Sequence, residues 1–362
     1  MSICELGRPA FADTYAVAGR FICVEARAAR TAELFRHYFA GWHVAPLPCV
    51  PQDEDASIGP DEDAGVSVDA VISVHTGEEP PDAPSWFETF ETAGGGVCHT
   101  DGRSYFFRSN GSVVGVGGDS PKRVEVWIGD GGASREREAL ARLIFDASMT
   151  ALRRCGLFEL HSAGVVEPES GAGILLVGPS GSGKSTLATQ LANAGWQYLS
   201  DDTLLLYESG HGEFSHGVAA RALRREFAVT EPTVAAGLLD GYEDQLTGPV
   251  PFDPQKRRFE PQAVFPDRFA ESCIPRAVFF PIVTHEPRSR ARTLSQAETM
   301  RRLIRMCPWA CYDRPAAKAH LGVLAGLARQ AEGYELRAGR DLIADAAFAS
   351  DFLRTRARRK VL

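Results

Sequence analysis

The sequence predicts an α/β domain built around a phosphate-binding loop, preceded by a smaller β-rich α+β domain. Three observations predict it. Residues 178–186, GPSGSGKST, have the form G-x-x-x-x-G-K-[ST]. The short apolar run AGILLVG (172–178) leads straight into that stretch, as a strand buried on both faces would, and KSTLATQLANAG (184–195) leaves it as a helix stopped by Gly195. Before residue 131 the pattern is different, with short β-like runs broken by Gly, Asp-Gly and Asn-Gly turns.

At 362 residues the chain is longer than one core usually serves, and the change of character divides it into 1–131 and 132–362. Hydrophobic residues make up 44% and charged residues 24%, the balance of an ordinary globular protein. A formal net charge of −8 gives no general attraction to nucleic acid or anionic membrane, so neither is expected as a partner. The eight cysteines form no C-x-x-C, which reads as reduced thiols in the core. No apolar window approaches a membrane span and no signal peptide is evident, so the expected location is the cytoplasm.

Taken in order, RFICVEA (20–26) reads as a strand and TAELFRHYF (31–39) as a helix ended by Gly41. The stretch 48–67 is rich in Asp, Glu, Pro and Gly, has little to bury, and reads as a loop. VDAVISVHT (68–76) and RVEVWIGD (123–130) return to strand character. From Ser134, a candidate N-cap, Leu140, Leu143, Ile144, Ala147, Ala151 and Leu152 fall at helical spacing up to Gly156. LFELHSAGVVE (157–167) is a strand candidate, and WQYLSDDTLLLYES (196–209) gives two strands with paired acids between them. RAVFFPIVT (276–284) is a further strand, and helical patterns follow at 295–306 and 315–332.

The chemistry expected of the loop follows from its residues. Gly178, Ser180, Gly181, Ser182 and Gly183 let successive backbone N–H groups turn inward on a phosphate, at the positive end of the next helix. Lys184, one of five lysines in the chain, reaches the outer phosphates; the Ser185 hydroxyl suits Mg²⁺, and Thr186 supplies a second hydroxyl nearby. Asp201 and Asp202 end a strand-like segment and should gather on the loop's edge of a parallel sheet. There one carboxylate can hold Mg²⁺ while the other accepts the proton of an attacking hydroxyl. Arg224, Arg225, Lys256, Arg257 and Arg258 are candidate cations for closing the phosphate site, the last three in a loop-like segment between prolines that would suit a lid.

The series ELHSAGVV, GILLVGPSGSGKST, GWQYLSDD resembles the catalytic domain of HPr kinase/phosphorylase and its relatives, bacterial serine kinases with a phosphoenolpyruvate carboxykinase-like nucleotide fold. The resemblance covers roughly residues 150–310, with IPRAVFFPIVTHEP and LSQAETMRRLI similar to the family's later strand and helix. It implies ATP and Mg²⁺ as cofactors, Lys184 on phosphate, Ser185 and Asp201 on the metal, Asp202 as the base, and His161 beside Asp202 orienting or tuning it. Two departures stand out: Thr186 where the family commonly has Glu, and HGVAARALRREFAVTEP (216–232) in place of the Glu-x-Arg-Gly segment linked to phosphorolysis. The chain thus resembles more the HPr-kinase-related group, some members of which phosphorylate serine on peptides, including lasso-peptide precursors. The expected reaction is transfer of the γ-phosphoryl group to a serine-type hydroxyl of a protein or peptide. A kinase of a small hydroxylated metabolite and a nucleotide-responsive binding module are the alternatives. Family relatives are often oligomers, which makes a homo-oligomer an expectation.

Overall fold

A computed structural model of the chain describes residues 10–47, 67–91, 96–109, 112–116, 122–128, 136–209, 217–250, 253–307 and 309–357. The acidic segment 48–66, Ser134, Cys4, Cys49 and the basic tail beyond residue 357 lie outside them. The chain divides into two compact units, Met1–Cys155 and Gly156–Leu362.

The first unit holds a nine-stranded sheet whose central strands, Arg20–Ala26, Ala70–Thr76 and Arg123–Ile128, run parallel. The other pairings in this sheet are antiparallel. Ile72, Val74, Val114, Val124 and Val126 are buried, and the helix Glu136–Arg154 packs on their strands with Leu143, Ile144, Ala147 and Ala151 buried. That packing corrects the sequence boundary. The helix belongs to the first unit, so the division falls after Cys155 and not after residue 131.

The second unit is a mixed sheet with helices on both faces. Its strands lie in the order Ser272–Cys273, Gly217–Ala222, Thr203–Ser209, Phe158–Val166, Gly173–Val177, Pro275–Val283, Glu332–Ala338, Arg290–Thr293, with Gln197–Ser200 also paired to Phe158–Val166. Leu160, Leu175, Leu204, Leu206 and Val278 share one core with Leu303, Leu324 and Leu327 of the helices Gln296–Arg305 and Arg314–Gln330. Ile174, Leu176, Phe279 and Tyr334 share another with Leu187, Leu191 and Trp196, closed by the helix Ala346–Ala357. The Trp196 indole N–H donates to Ser350 Oγ at 2.8 Å, so its burial leaves no polar group unmet.

A separate three-stranded sheet joins Phe227–Thr230, Asp253–Phe259 and Thr247–Val250 over Tyr198, Phe227, Phe259 and Phe265. The segment with Lys256, Arg257 and Arg258, expected as a loop, is therefore the middle strand of this sheet. The helical pattern at 315–332 ends at Gln330, and Glu332–Ala338 turns into a strand. Gly333 belongs there for a steric reason: a Cβ would come within 2.0 Å of Thr299 Oγ1.

Among the described residues Cys23, Cys98, Cys155, Cys273 and Cys307 are buried. Burial pushes the thiols of Cys98, Cys155 and Cys273 up to about 12, which leaves them unreactive at neutral pH. Among those residues no helix is long and apolar enough to cross a membrane. Leu206 is fully buried, and Leu206→Ala should lower the unfolding free energy by about 2–5 kcal/mol. Equilibrium denaturation checks this; a loss under about 1 kcal/mol would mean the site collapses without a cavity.

Candidate functional site

Sheet register gathers the candidate residues at one edge. The strand Gly173–Val177 delivers the glycine-rich loop to its C-terminal end. Its neighbour Phe158–Val166 runs antiparallel with Ser162 opposite Val177, so His161 stands beside the loop. Gln197–Ser200 is antiparallel to that neighbour in turn, and so points the same way as Gly173–Val177. Asp201 and Asp202 therefore emerge at the loop's edge, reached through two antiparallel pairings and not through an all-parallel sheet. His161 also lies opposite Thr203, the residue after the acids.

The loop is shaped by backbone that only glycine adopts easily. Gly181 and Gly183 have φ of +79° and +92°. Gly183 precedes the helix Lys184–Asn193 and fits closely, since a Cβ there would meet Val283 Cγ2 at 2.9 Å. Lys184 is buried, and its ammonium donates to the carbonyls of Gly178 at 2.8 Å and Pro179 at 2.9 Å. Its third neighbour is His161 Nε2, at 3.1 Å. Burial pulls the Lys184 ammonium down to about 8, against the raising effect of Asp202. The Ser182 hydroxyl, also buried, has no hydrogen-bond partner among the described residues.

His161 links the lysine to the acids. Its Nδ1 lies 3.2 Å from Asp202 Oδ1. An ammonium can only donate, so Nε2 accepts from charged Lys184 and Nδ1 carries the hydrogen donated to Asp202. Asp202 Oδ2 accepts from Thr203 Oγ1 at 2.9 Å and lies 3.6 Å from Arg224 Nη1. Burial disfavours the Asp202 carboxylate, but the His161 hydrogen bond, the Arg224 charge and Thr203 together hold it well below the usual carboxylate range. Asp201 goes the other way. Its carboxyl is raised by burial and by the charge of Asp202, although Oδ2 accepts the Ala228 N–H at 2.8 Å. The Ser185 hydroxyl donates to the Asp201 main-chain carbonyl at 3.3 Å.

These groups open onto one cavity of about 680 Å³, which His161, Ser180, Gly181, Gly183, Lys184, Ser185, Thr186, Asp201 and Asp202 all line. The cations separate. Lys256 lines the cavity and Arg224 pairs with Asp202. Arg257 donates to the Leu246 carbonyl and Arg258 to Glu226, inside the small sheet, and Arg225 is exposed away from the cavity lining. For Lys256, Arg257 and Arg258, a pairing position within a strand, and not a loop, dictates where the side chains go.

Sequence reasoning passed over Thr203, although it directly follows the two acids and could have been read as a local donor. It also missed Thr233, whose hydroxyl lies 2.8 Å from that of Thr186 and 3.2 Å from that of Thr230. Among the described residues no cluster of three or more His, Cys, Asp or Glu side chains could hold a metal by itself.

No family model matches the chain, and no curated protein matches it by sequence. Among solved structures it is similar to the Hpr(Ser) kinase/phosphatase from Coxiella burnetii, at 11% identity and a TM-score of 0.28, over 54% of this chain and 94% of that one. At that identity and TM-score the likeness does not extend to activity or to individual residues.

The His161 and Thr203 bonds are expected to govern the ionisation of Asp202. Thr203→Val and His161→Ala should each raise its pKa. Carboxyl-carbon NMR titration measures this directly, and an unmoved Asp202 in both variants would show that neither bond matters to its charge.

Proposed function

We propose that the second unit binds ATP with Mg²⁺ and transfers the γ-phosphoryl group to a serine-type hydroxyl of a protein or peptide. The observation that carries this reading is a single cavity into which the loop lysine, the loop serine, an ionised aspartate and its histidine partner all face. A sensor of nucleotide has no need of that aspartate. The sequence motifs, and the family they resemble, support the same reading.

In this reading the loop N–H groups and Lys184 hold the β- and γ-phosphates. The donor set fits a hard cation: Asp201 is a buried carboxyl whose ionisation a nearby positive charge would favour, and the Ser185 hydroxyl is adjacent. With no complete protein cage among the described residues, phosphate oxygens would complete the coordination. Bound there, Mg²⁺ supplies neutralisation of the phosphate charge. Asp202, already ionised at neutral pH, accepts the proton of the incoming hydroxyl. Its Oδ1 is steadied by His161 and its Oδ2 by Thr203, which fixes the direction from which an alcohol approaches. Lys256 faces the same cavity and adds positive charge at the phosphates.

Incubation with labelled ATP and a cell peptide pool should label a peptide. A labelled small molecule instead would make the protein a metabolite kinase; no labelled product with ATP bound would make it a nucleotide-responsive module. Asp202→Asn should lower transfer by roughly 10²–10⁴-fold with ATP affinity nearly unchanged, whereas Lys184→Ala should weaken the ATP complex itself. Turnover by Asp202→Asn at the rate of the parent chain removes the base from the mechanism.

Lys184 also sets a pH dependence. It is charged below about 8 and neutral above, because burial lowers its pKa. Bound phosphate favours the charged form, so binding takes up a proton in alkaline solution. ATP affinity should fall as pH rises above that value, by up to about tenfold per pH unit. Calorimetric titration from mildly acid to alkaline pH reads this; an affinity flat throughout would separate Lys184 from phosphate.

A further inference from the structure

The nine-stranded sheet of the first unit has two unlike faces. Ile72, Val74, Val124 and Val126 are buried on the face that the helix Glu136–Arg154 covers. Alternation sends Ser73, His75, Glu125 and Trp127 to the opposite face. That face carries a row of rings. Trp127 stacks on His75 with centroids 5.2 Å apart. Trp127 and Phe106 both lie over Gly115, where a Cβ would meet them at 2.9 and 3.1 Å. Phe87 follows at 6.1 Å from Phe106, and Trp86 stands edge-on to Phe87 at 4.5 Å. Burial falls along the row. His75 is buried, Phe106 and Phe87 are half-buried, and Trp86 is 68% exposed.

The exposed end is held in place. Trp86 lies in a turn closed by the Phe87 N–H, which donates to the Pro84 carbonyl at 3.0 Å. Arg108 Nη2 fixes the approach to that turn by donating to the Pro81 carbonyl at 2.7 Å. Pro80, Pro81 and Pro84 restrict the backbone further. A single apolar ring at a surface is ordinary. This one is kept open by a braced turn and continues into four more rings.

Charge decides the partner. Residues 76–91 contain five acids and no Lys, Arg or His. Arg27 and His75 answer Glu78, and Arg108 lies 3.7 Å from Asp82, which is fully exposed. Glu79, Glu88 and Glu91 are exposed and form no ion pair among the described residues. The same bias runs through the unit, for the first 155 residues hold 23 of the 47 acids but only 14 of the 39 Lys and Arg.

We infer that Trp86 anchors a docking surface for an extended, cationic peptide segment, whose Lys or Arg side chains lie on the indole and against Glu79, Asp82 and Glu88. The face of an indole attracts a cation more strongly than any other aromatic side chain, and a guanidinium also stacks on it. Acids around the ring add to that attraction and repel nucleic acid and anionic lipid. A second copy of this chain would set the same acids against one another across a two-fold contact. The inference concerns the first unit and does not depend on the reaction proposed for the second.

The test uses the full chain and two short fluorescent peptides, one of alternating Arg and Gly, the other of alternating Glu and Gly. Fluorescence anisotropy follows binding at low salt and at about 0.15 M. The parent chain should bind the arginine peptide and not the glutamate peptide, more weakly as salt rises. Trp86→Ala should lose about tenfold in that affinity. The double variant Glu79→Gln, Asp82→Asn should lose several-fold and show a flatter salt dependence. All three side chains are exposed, so the unfolding midpoints of the variants should match the parent's. Equal binding of the arginine peptide by Trp86→Ala and the parent chain would overturn the inference. So would equal binding of both peptides, or a parent chain that binds neither. Self-association of the parent chain that Trp86→Ala abolishes, with no peptide bound, would make the surface a contact between copies instead.

Discussion

A buried ammonium group must be satisfied or neutralised, and the arrangement around Lys184 answers that demand. Two loop carbonyls and one imidazole nitrogen take its three hydrogens. The carbonyls come from Gly178 and Pro179, so the lysine also fixes how the loop begins. The imidazole comes from His161, which is thereby oriented toward Asp202. Positive charge, neutral relay and negative charge follow one another in a line. Removing any one leaves a polar group in low dielectric without its partner.

Sheet topology makes that line available. Phe158–Val166 is a central strand, bonded on one side to the strand of the loop and on the other to those flanking the acids. A one-residue slip would turn His161 to the other face and replace it with Leu160 or Ser162. Phe158, Leu160 and Val166 in one core and Ala163 and Val165 in the other resist such a slip, since each would have to exchange cores. Packing, in this unit, holds the electrostatics in register.

Much of this was legible in the sequence because it is local. The loop, the strand entering it, the helix leaving it and the paired acids are contiguous patterns whose geometry follows from glycine, apolar runs and helix stops. The residues those patterns singled out, His161, Lys184, Ser185, Asp201 and Asp202, do share one cavity. The cations were not legible. Lys256, Arg257 and Arg258 look alike in sequence, and only pairing with Ala228, Val229 and Thr230 sends one to the cavity and the others into the small sheet. The helix Glu136–Arg154 was visible, but which sheet it would cover was not, because an apolar stripe does not name its partner. Thr203 was hidden by its ordinary place at a strand start.

One oxygen of Asp201 is held by the main chain of Ala228, in the first strand of the small sheet. This bond makes the sheet a mechanical extension of the acid pair. Were the carboxyl to rotate toward a cation, the amide of Ala228 would need a new acceptor. Lys256 is registered to Thr230, two residues further along that strand. One main-chain hydrogen bond and one strand pairing thus stand between a buried acid and the one lysine that the small sheet presents, among its described residues, to the cavity.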